Sequence, residues 1–574
     1  MRFGLLLLAL VSVAGITVGQ PTDSGPPKEE AKSAEAAAEA TPPATEPAAE
    51  KAAEPPAPVL PPYFSGANPK DEKGNEVKKW PDPTGAAAGT WATPAGDGKG
   101  DIPANVTPAD VLDRVNHNMY SINMVWVLIA GALVMFMQTG FAMVETGLGR
   151  AKNSAHTAAM NFMVYPIGCL AFYIYGFGLG WGNWFNAPVW PAWYSSIGPG
   201  TSVLNSSFTV GDGWSLFGTK GFCLAGMDDV SVMALFFFMM VFMDTTATIP
   251  TGSMCERWSW KSFCLFAFWV ALPYCLYAHW VWGGGWLAQT GTKLGLGHGA
   301  VDFAGSGVVH AMGGVIALVG SYCIGPRIGK YIDGKPQAMP AHHIPMVIFG
   351  SFILAFGWFG FNAGSTLAGT DLRISTVVVN TMLASIAGAI MAMFTLWAKG
   401  LKTDPSMLCN GMLAGLVAIT APCAFVDSHI ALLIGAVAGV LVVMGVFFWD
   451  WIGIDDPVGA ISVHGINGLW GVLSLGLFAN GKYGSGWNGV VRDEFVTKFG
   501  ADNVTGLFYG DSSQFLAQLL SAGTVIVFGG SMAYVWFKVS NLIVPLRVSA
   551  DVEKQGLDVP EMGAHGYPEF QSHD

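Results

Sequence analysis

The pattern of apolar and polar residues along the chain predicts an all-α polytopic membrane protein. From about residue 121 to 544, apolar runs of about 18 or more residues recur with few charges inside them, and a helix of that length can cross a bilayer. Glycine is frequent in these runs, as is typical of closely packed membrane helices. The pattern predicts eleven spans, at 121–144, 157–181, 229–252, 262–287, 302–324, 344–364, 375–398, 406–423, 430–449, 457–479 and 514–540.

The segments before the first span have a different composition. Residues 1–19 have a positive start at Arg2 and a short apolar core, which predicts a signal peptide; a first membrane helix is the alternative, but the core is short for one. Residues 20–116 are rich in Pro, Ala and Glu and predict a disordered tether outside the membrane. The membrane domain then covers residues 117–544, and a tail covers 545–574.

The basic residues predict how the chain is oriented. With the N-terminus outside, eleven spans place the C-terminus in the cytoplasm, in the cytoplasmic (inner) membrane. Lysine and arginine favour the cytoplasmic side of short loops, and only Lys293 and Arg373 fall in short loops assigned outside. The basic residues of the short inner loops are Arg150, Lys152, Arg257, Lys261, Arg327, Lys330, Lys335, Lys399 and Lys402.

Composition agrees with a membrane protein and excludes other classes. The chain is 52% hydrophobic and 12% charged, with a mean hydropathy of +0.44 and a formal net charge of −12. The negative charge and the lack of a basic tract do not indicate nucleic-acid binding. The eight cysteines show no CxxC spacing, so the sequence predicts neither a metal site nor a disulfide framework.

One string occurs twice in apolar sequence. Asp302-x6-Val309-His310 and Asp456-x6-Val463-His464 place two histidines 154 residues apart, in the fifth and tenth predicted spans. Five spans in each half force the second half to enter the membrane from the opposite side. We therefore predict an inverted 5+5 repeat plus a final long helix, with a shared site near the membrane midplane.

The two histidines are candidates for a transport path. Histidine inside a membrane usually faces a bundle interior or a polar path, and burial favours the neutral ring, which both donates and accepts hydrogen bonds. The alternative is a purely structural bond to helix backbones. Asp456 precedes Pro457 and is interpreted as a helix cap. Asp302 follows an outside loop, so a cap and a cation-attracting anion both stay open.

Three further residues have two interpretations each. Trp282 in V-W-G-G-G lies at the outer end of the fourth span. Its ring suits an ammonium-like cation, although most tryptophans here suit an interfacial belt. For Phe361, simple packing is favoured from the residues alone. Asp244 is an acid deep in the third span, and a hydrogen bond between packed helices is as good an explanation as transport.

Seven ordered motifs resemble the ammonium transporter (Amt/Rh) family, and the Amt branch more than the Rh branch. They cover residues from about 120 to 570. The motifs are G-F-A-M-V-E-T-G-L-G-R-A-K-N at 140–153, E-R-W at 256–258, H-W-V-W-G-G-G at 279–285, D-F-A-G-S-G-V-V-H at 302–310, G-W-F-G-F-N-A-G-S at 357–365, D-D-P-V-G-A-I-S-V-H-G at 455–465, and G-L-D at 556–558 with H-G-Y-P-E-F at 565–570.

The resemblance implies roles for residues on the outer side of the pore. Trp282 and Ser365 would form a site that recruits ammonium, with Phe242 beside it and with electrostatic support from Asp302. Phe242 and Phe361 would form a stacked aromatic gate below that site. None of these roles follows from composition or spacing alone.

The resemblance also implies the inner part of the pore and the assembly. His310 and His464 would line the narrow pore, Trp358 would lie near its inner half, and Thr420 would buttress Trp282. The family pattern implies a homotrimer with one pore per subunit, and a tail that couples subunits and answers to a PII-type regulator.

The implied function is uptake of ammonium nitrogen, without enzymatic activity or a cofactor. Ammonium, and by extension methylammonium, would lose a proton, and ammonia would cross the pore. Two alternatives stay open: an ammonium sensor that signals through its tail to a separate cytoplasmic protein, and passive conduction of gas or water. The sequence departs from the commonest family pattern at Glu145 and at M-D-T-T, residues 243–246.

Overall fold

A computed structural model describes residues 108–183, 204–227 and 230–568. The predicted signal peptide and most of the predicted tether lie outside the described residues. The first helix begins at Pro108, before the predicted end of the tether at residue 116. The helices are α1 (Pro108–Leu148), α2 (Ser154–Ala171), α3 (Phe177–Trp181), α4 (Val230–Met254), α5 (Trp260–Trp269), α6 (Ala271–Val281), α7 (Trp286–Leu294), α8 (Met312–Ile324), α9 (Ile344–Trp358), α10 (Ile374–Ala398), α11 (Pro405–Ile419), α12 (Ser428–Ile452), α13 (Asn467–Phe478), α14 (Asp493–Phe499), α15 (Ser512–Thr524), α16 (Gly530–Ile543) and α17 (Ala550–Gln555).

Ten segments within the described residues are long and apolar enough to cross a membrane, so the all-helical membrane fold is confirmed. They match ten of the eleven predicted spans to within a few residues at most ends. The eighth predicted span, 406–423, corresponds to α11, which is shorter than the other ten. Asp404 accepts a hydrogen bond from the Ser406 N–H, and Pro405 occupies the first turn, a combination that favours a helix start at this point.

Several spans contain a turn of π-helix, in which each backbone N–H bonds to the carbonyl five residues earlier, rather than four as in an α-helix. These turns are Phe172–Gly176, Ser306–Ala311, Phe359–Ala363, Ile461–Ile466 and Val525–Gly529. A π-turn inserts an extra residue and therefore changes which side chains face the bundle interior. Two of the five, Ser306–Ala311 and Ile461–Ile466, carry the paired histidines.

The two halves of the membrane domain pack on each other reciprocally. Helix α8 of the first half packs on the π-turn Ile461–Ile466, and α13 of the second half packs on the π-turn Ser306–Ala311. Around this centre, α1 packs on α4 and α9, and α10 packs on α11 and α12. The exchange of contacts is what a twofold-related repeat produces, with the shared site where the halves meet.

The described connections contain small ordered elements. Strands β1 (Ser207–Val210) and β2 (Trp214–Gly218) form an antiparallel hairpin in the long loop after α3. Strands β3 (Tyr331–Ile332) and β4 (Lys335–Pro336) form a second, shorter hairpin after α8. In the loop after α13, Arg492 forms ion pairs with Asp502 and Asp511 around α14, so this loop is folded onto itself.

Candidate functional site

The two histidines of the repeated string meet at the centre of the bundle. His310 is fully buried and His464 is 5% exposed, and their Nδ1 atoms are 3.2 Å apart. A methyl group added to Gly314 would lie 2.1 Å from the Gly465 backbone nitrogen. Glycine at this crossing therefore allows the two half-repeats to approach closely enough for the imidazoles to touch.

This geometry constrains the protons of the pair. In an Nδ1–Nδ1 hydrogen bond one ring donates and the other accepts, so the two neutral rings are opposite tautomers. The Nε2 atom of His310 has no hydrogen-bond partner among the described residues. One imidazole nitrogen at the centre of the bundle is thus free to meet a small polar molecule.

Asp302 and Asp456 start the two histidine segments in different ways. The Asp302 carboxylate accepts four backbone N–H groups, from residues 305, 306, 307 and 308, at 2.8–3.0 Å. Asp456 accepts from Ile461 at 2.7 Å through Oδ2, while its Oδ1 has no partner among the described residues. Both carboxylates therefore cap helices. Both oxygens of the Asp302 carboxylate are hydrogen-bonded to N–H groups at the helix start, where a negative charge is favourable.

The aromatic residues form a stack above the histidines. The Phe242 and Phe361 rings are 4.0 Å apart, centre to centre, and only 17° from parallel. The Trp282 ring lies 6.2 Å from Phe242, and the His310 ring lies 5.4 Å from Phe361. The rings thus form a continuous column from Trp282 through the phenylalanine pair to the histidine.

A small cavity lies at the Trp282 end of this column. Its volume is about 10 Å³. Ser365 donates its hydroxyl proton to the Phe361 carbonyl at 2.8 Å, so its oxygen keeps lone pairs for another donor. The cavity is lined by Phe238, Met239, Phe242, Trp282, Phe303, Ser365 and Leu367, and so brings together three of the residues predicted for the outer site.

Asp302 reaches the outer site through its backbone. The Trp282 indole N–H donates to the Asp302 carbonyl at 2.6 Å. The side chain was expected to support the site by its charge, but the side chain is buried and engaged by backbone N–H groups. What Asp302 supplies to the outer site in the structure is the orientation of the indole ring.

Thr420 corrects one expectation drawn from the resemblance. Its hydroxyl accepts a hydrogen bond from the Trp358 indole at 2.9 Å, whereas it was expected to support Trp282. Trp358 in turn stacks on His310 at 5.1 Å, 19° from parallel. Thr420 therefore orients Trp358, the tryptophan that packs against His310. The indole of Trp282 is held instead by the Asp302 carbonyl.

A second cavity lies on the other side of the histidine pair. Its volume is about 20 Å³, enough for about one water-sized molecule. Most of its lining is apolar, and the polar groups come from three residues. The lining residues are Phe141, Val144, Glu145, Ile249, Leu354, Asn410, Leu413, Val458, Ala460, Val463 and His464.

Glu145 in this cavity is a residue that the sequence marked only as a departure from the family pattern. Sequence spacing could not have shown that it lies beside His464, because the two residues belong to different halves of the repeat. The only sequence signal was an acid inside an apolar run, which in a membrane span is a functional candidate.

Asp244 lies outside both cavities. It is buried in α4, and its Oδ1 atom has no hydrogen-bond partner among the described residues. The neighbouring Thr245 and Thr246 donate instead to the carbonyls of Val241 and Val309. The predicted helix-packing bond is therefore not formed through that oxygen.

An ion-pair network lies at one end of the bundle, on the side of the basic loops. Arg327 bonds Glu256 at 3.0 Å and both carboxylate oxygens of Asp455 at 2.9 Å, and Arg150 also pairs with Glu256. Burial alone would raise the pKa of Asp455, but Arg257 and Arg327 outweigh burial and hold that pKa well below its usual range. The sequence analysis placed Arg150, Arg257 and Arg327 in inner loops and did not predict that they join a buried network.

The tail closes over the same end. Glu553 of α17 accepts from the Ile328 N–H at 2.7 Å and pairs with Arg547. Asp558 accepts from the His156 N–H at 2.9 Å at the start of α2, and Tyr567 shares a hydrogen bond with His342. The tail therefore contacts the ends of several spans of the same chain.

The ten apolar spans of the described residues, packed around a buried column of aromatic rings and a pair of histidines, are typical of a multi-pass membrane transport protein. Residues 125–567 match the family model described as Ammonium Transporter Family. The chain belongs to this family, which confirms the resemblance that its motifs predict.

Relatives support the assignment along most of the chain. Ammonium transporter Amt2 of Archaeoglobus fulgidus is 44% identical over 455 residues, which cover 78% of this chain and 89% of that protein. An Ammonium transporter of Bacillus subtilis is 32% identical over 448 residues, 77% of this chain and 98% of that protein.

Solved structures share the fold. One described as Sensor Amt Protein has a TM-score of 0.65 and 31% identity, covering 78% of this chain and 99% of its own. Candida albicans Mep2 has a TM-score of 0.62 and 26% identity, covering 81% and 95%. The chain is thus an ammonium transporter by family, with the fold of that family.

Proposed function

We propose that the chain recruits ammonium at Trp282 and Ser365, removes a proton near the phenylalanine pair, and conducts ammonia past His310 and His464. The observation that carries this proposal is the unbroken column of rings from Trp282 to the histidines, with a cavity at each end. A charge-only site would not separate ammonium from potassium, because the two ions have the same charge and similar size.

The outer cavity suits a cation that donates hydrogen bonds. Ammonium can place one N–H on the free lone pairs of Ser365 and others toward the ring faces of Trp282 and Phe242. A cation over an aromatic face gains about 0.5–2 kcal/mol, more as it loses water. Potassium has no N–H group, so it cannot donate directional hydrogen bonds to Ser365 and to the ring faces.

Deprotonation follows from the closed stack below the site. Phe242 is 1% exposed and Phe361 is fully buried, so a species passing them loses its water. Loss of water disfavours a charged form far more than a neutral one. Ammonia is therefore the species that continues, and it meets the free Nε2 of His310.

The histidine pair offers a separate route for the proton. Because one ring donates to the other through Nδ1, a proton arriving at one ring can be matched by a proton leaving the other. Ammonia and a proton then cross together in equal numbers, and net transport is electrogenic. This mechanism needs no cofactor, and its only chemical steps are proton transfers.

Replacing Trp282 with leucine is expected to weaken ammonium recruitment. Loss of the ring face should raise the ammonium concentration for half-maximal current by about twofold to about thirtyfold, the equivalent of about 0.5–2 kcal/mol. Current measurements on proteoliposomes over a concentration series would show the change. Trp451→Leu is the matched control, because Trp451 is 77% exposed at the end of α12; equal shifts in both variants would contradict the assignment.

Assembly, location and regulation follow the family expectation. We propose a homotrimer with one pore per subunit, in the cytoplasmic membrane, with a cleaved signal peptide, the N-terminus outside and the tail in the cytoplasm. The tail, held by Glu553 and Asp558 against the spans, is the proposed contact for a PII-type regulator. The exposed apolar faces of the spans contact lipid.

An ammonium sensor is the second candidate. The structural neighbour described as Sensor Amt Protein and the tail contacts of Asp558 and Tyr567 favour it. Uptake of labelled methylammonium by purified protein in liposomes separates the two candidates. A transporter accumulates the label faster than empty liposomes do, whereas a pure sensor binds ammonium and shows no uptake above that background.

A further inference from the structure

Glu145 is a buried carboxyl that the path described so far does not use. It is 3% exposed in α1, and its Oε2 accepts hydrogen bonds from Asn161 Nδ2 at 2.6 Å and Thr251 Oγ1 at 2.7 Å. Both donors are neutral. Among the described residues Glu145 has no ion-pair partner, since Arg150 is paired with Glu256.

A carboxylate in this setting lacks a balancing charge. Burying an ion in a membrane protein is expensive unless a cation or a proton accompanies it. Two neutral hydrogen bonds offset part of the cost and leave the negative charge in place. The site therefore favours a proton on Glu145 or a cation beside it.

The position of Glu145 indicates where that proton or cation comes from. Glu145 and His464 line the same cavity. His310 contacts Phe361 on one side and His464 on the other, so the cavity lies beyond the histidines as seen from the phenylalanine gate. A molecule that has passed the histidine pair enters a space with room for one small molecule.

We propose that Glu145 is the acceptor at which the relayed proton leaves the histidine pair and rejoins ammonia. This inference rests on the proposed transport function and adds a residue to it. The proton passes from the imidazolium of His464 to the Glu145 carboxylate, which becomes the carboxylic acid. Ammonia in the cavity then takes that proton, which gives ammonium beside the restored carboxylate. One ammonium enters and one leaves, so atoms and charge balance.

Neighbouring residues hold the carboxyl in place for this role. Asn161, which donates to Glu145, also accepts from Thr248 at 2.9 Å, and its carbonyl accepts from Gln138 at 2.6 Å. These contacts connect α1, α2 and α4 behind the cavity. They fix Oε2, while Oε1 lies beside Gly252, and the residue is part of the cavity lining.

Glu145→Gln tests the inference, because it keeps the size of the side chain and removes the acid. The expected result is an ammonium current at least about 100-fold smaller than in the wild type, the low side of the about 10²–10⁴-fold that positioned proton transfer contributes. The concentration for half-maximal current should not change, because the outer site at Trp282 is intact. If the role of Glu145 were purely structural, the size of the current and the concentration for half-maximal current would change together.

Asp244→Asn is the matched control, since Asp244 is also a buried carboxyl of the same bundle and lines neither cavity. Its current should stay within about twofold of the wild type. The inference is overturned if Glu145→Gln keeps a wild-type current, or if both variants lose current equally. If Glu145→Gln does not reconstitute, Glu145→Asp and Glu145→Asn are compared with each other, because their side chains have the same size and only Asp keeps the acid. Equal currents in that pair would also overturn it.

The same experiment separates this inference from the proposed function. If the wild type itself gives no ammonium current, ammonium transport by this chain fails. If the wild type conducts and Glu145→Gln conducts equally, transport stands and only the role of Glu145 fails.

Discussion

Replacing both His310 and His464 with alanine is expected to abolish the selective ammonium current. The two imidazoles are hydrogen-bonded to each other across the two half-repeats, and the relay requires that bond. Positioned proton transfer contributes about 10²–10⁴-fold to a rate, so we expect the selective current to fall at least about 100-fold. Proteoliposome currents elicited by ammonium and by potassium would measure both the size and the selectivity.

The control for this prediction is His429→Ala, an exposed histidine at the start of α12. It should conduct as the wild type does. An unchanged current with unchanged selectivity in the double variant would contradict the proton relay. A large current that no longer distinguishes ammonium from potassium agrees with the prediction, because two missing rings leave room for hydrated ions.

Replacing Arg327 with methionine is expected to be the most destabilising substitution at the tail-covered end of the bundle. Arg327 is 4% exposed, and its partners Glu256 and Asp455 are fully buried. Removing one partner of a buried pair costs about 3–5 kcal/mol, because it leaves an unpaired buried charge. We expect about 3 kcal/mol, since Arg150 still pairs with Glu256 and Arg257 still faces Asp455. Thermal unfolding followed by tryptophan fluorescence should show a midpoint several degrees lower.

Lys482→Ala gives the comparison for an exposed pair. Lys482 and Asp427 form an ion pair with 59% and 31% exposed side chains, and such a pair contributes little to stability because water and salt screen it. The midpoint should therefore move little. A shift for Arg327→Met no larger than that for Lys482→Ala would contradict a structural role for the buried network.

The membrane fold could be predicted from the sequence because its strongest determinant is local. Each span is a continuous apolar run, and the ends of the predicted spans at 375–398 and 430–449 lie within three residues of the ends of the observed helices. Helix α11 was overestimated because buried apolar residues continue past its end at Ile419, through the turn that follows. Apolar character alone does not show where a helix stops.

The site could be predicted only in part, since its parts come together through tertiary structure. The repeated string identified both histidines, and the structure places them in contact. The π-turns that aim them inward are set by packing between the halves, which no local pattern records. The hydrogen bond that Thr420 accepts from Trp358 likewise joins residues distant in sequence.

Glu145 illustrates the same limit. An acid in an apolar run is visible in the sequence, but the cavity that it shares with His464 is built from five or more separate segments of the chain. Glu145 is therefore a candidate for proton transfer because the structure places it in the same cavity as His464.

Solid-supported-membrane electrophysiology on wild-type proteoliposomes tests the central claim most directly. Among pulses of ammonium, sodium and potassium at equal concentration, only ammonium should give a transient inward positive current. The decay of that current should become faster as the protein content of the liposomes rises. Currents of similar size with potassium, or a brief ammonium signal whose decay does not depend on protein content, would contradict selective ammonium transport by this chain.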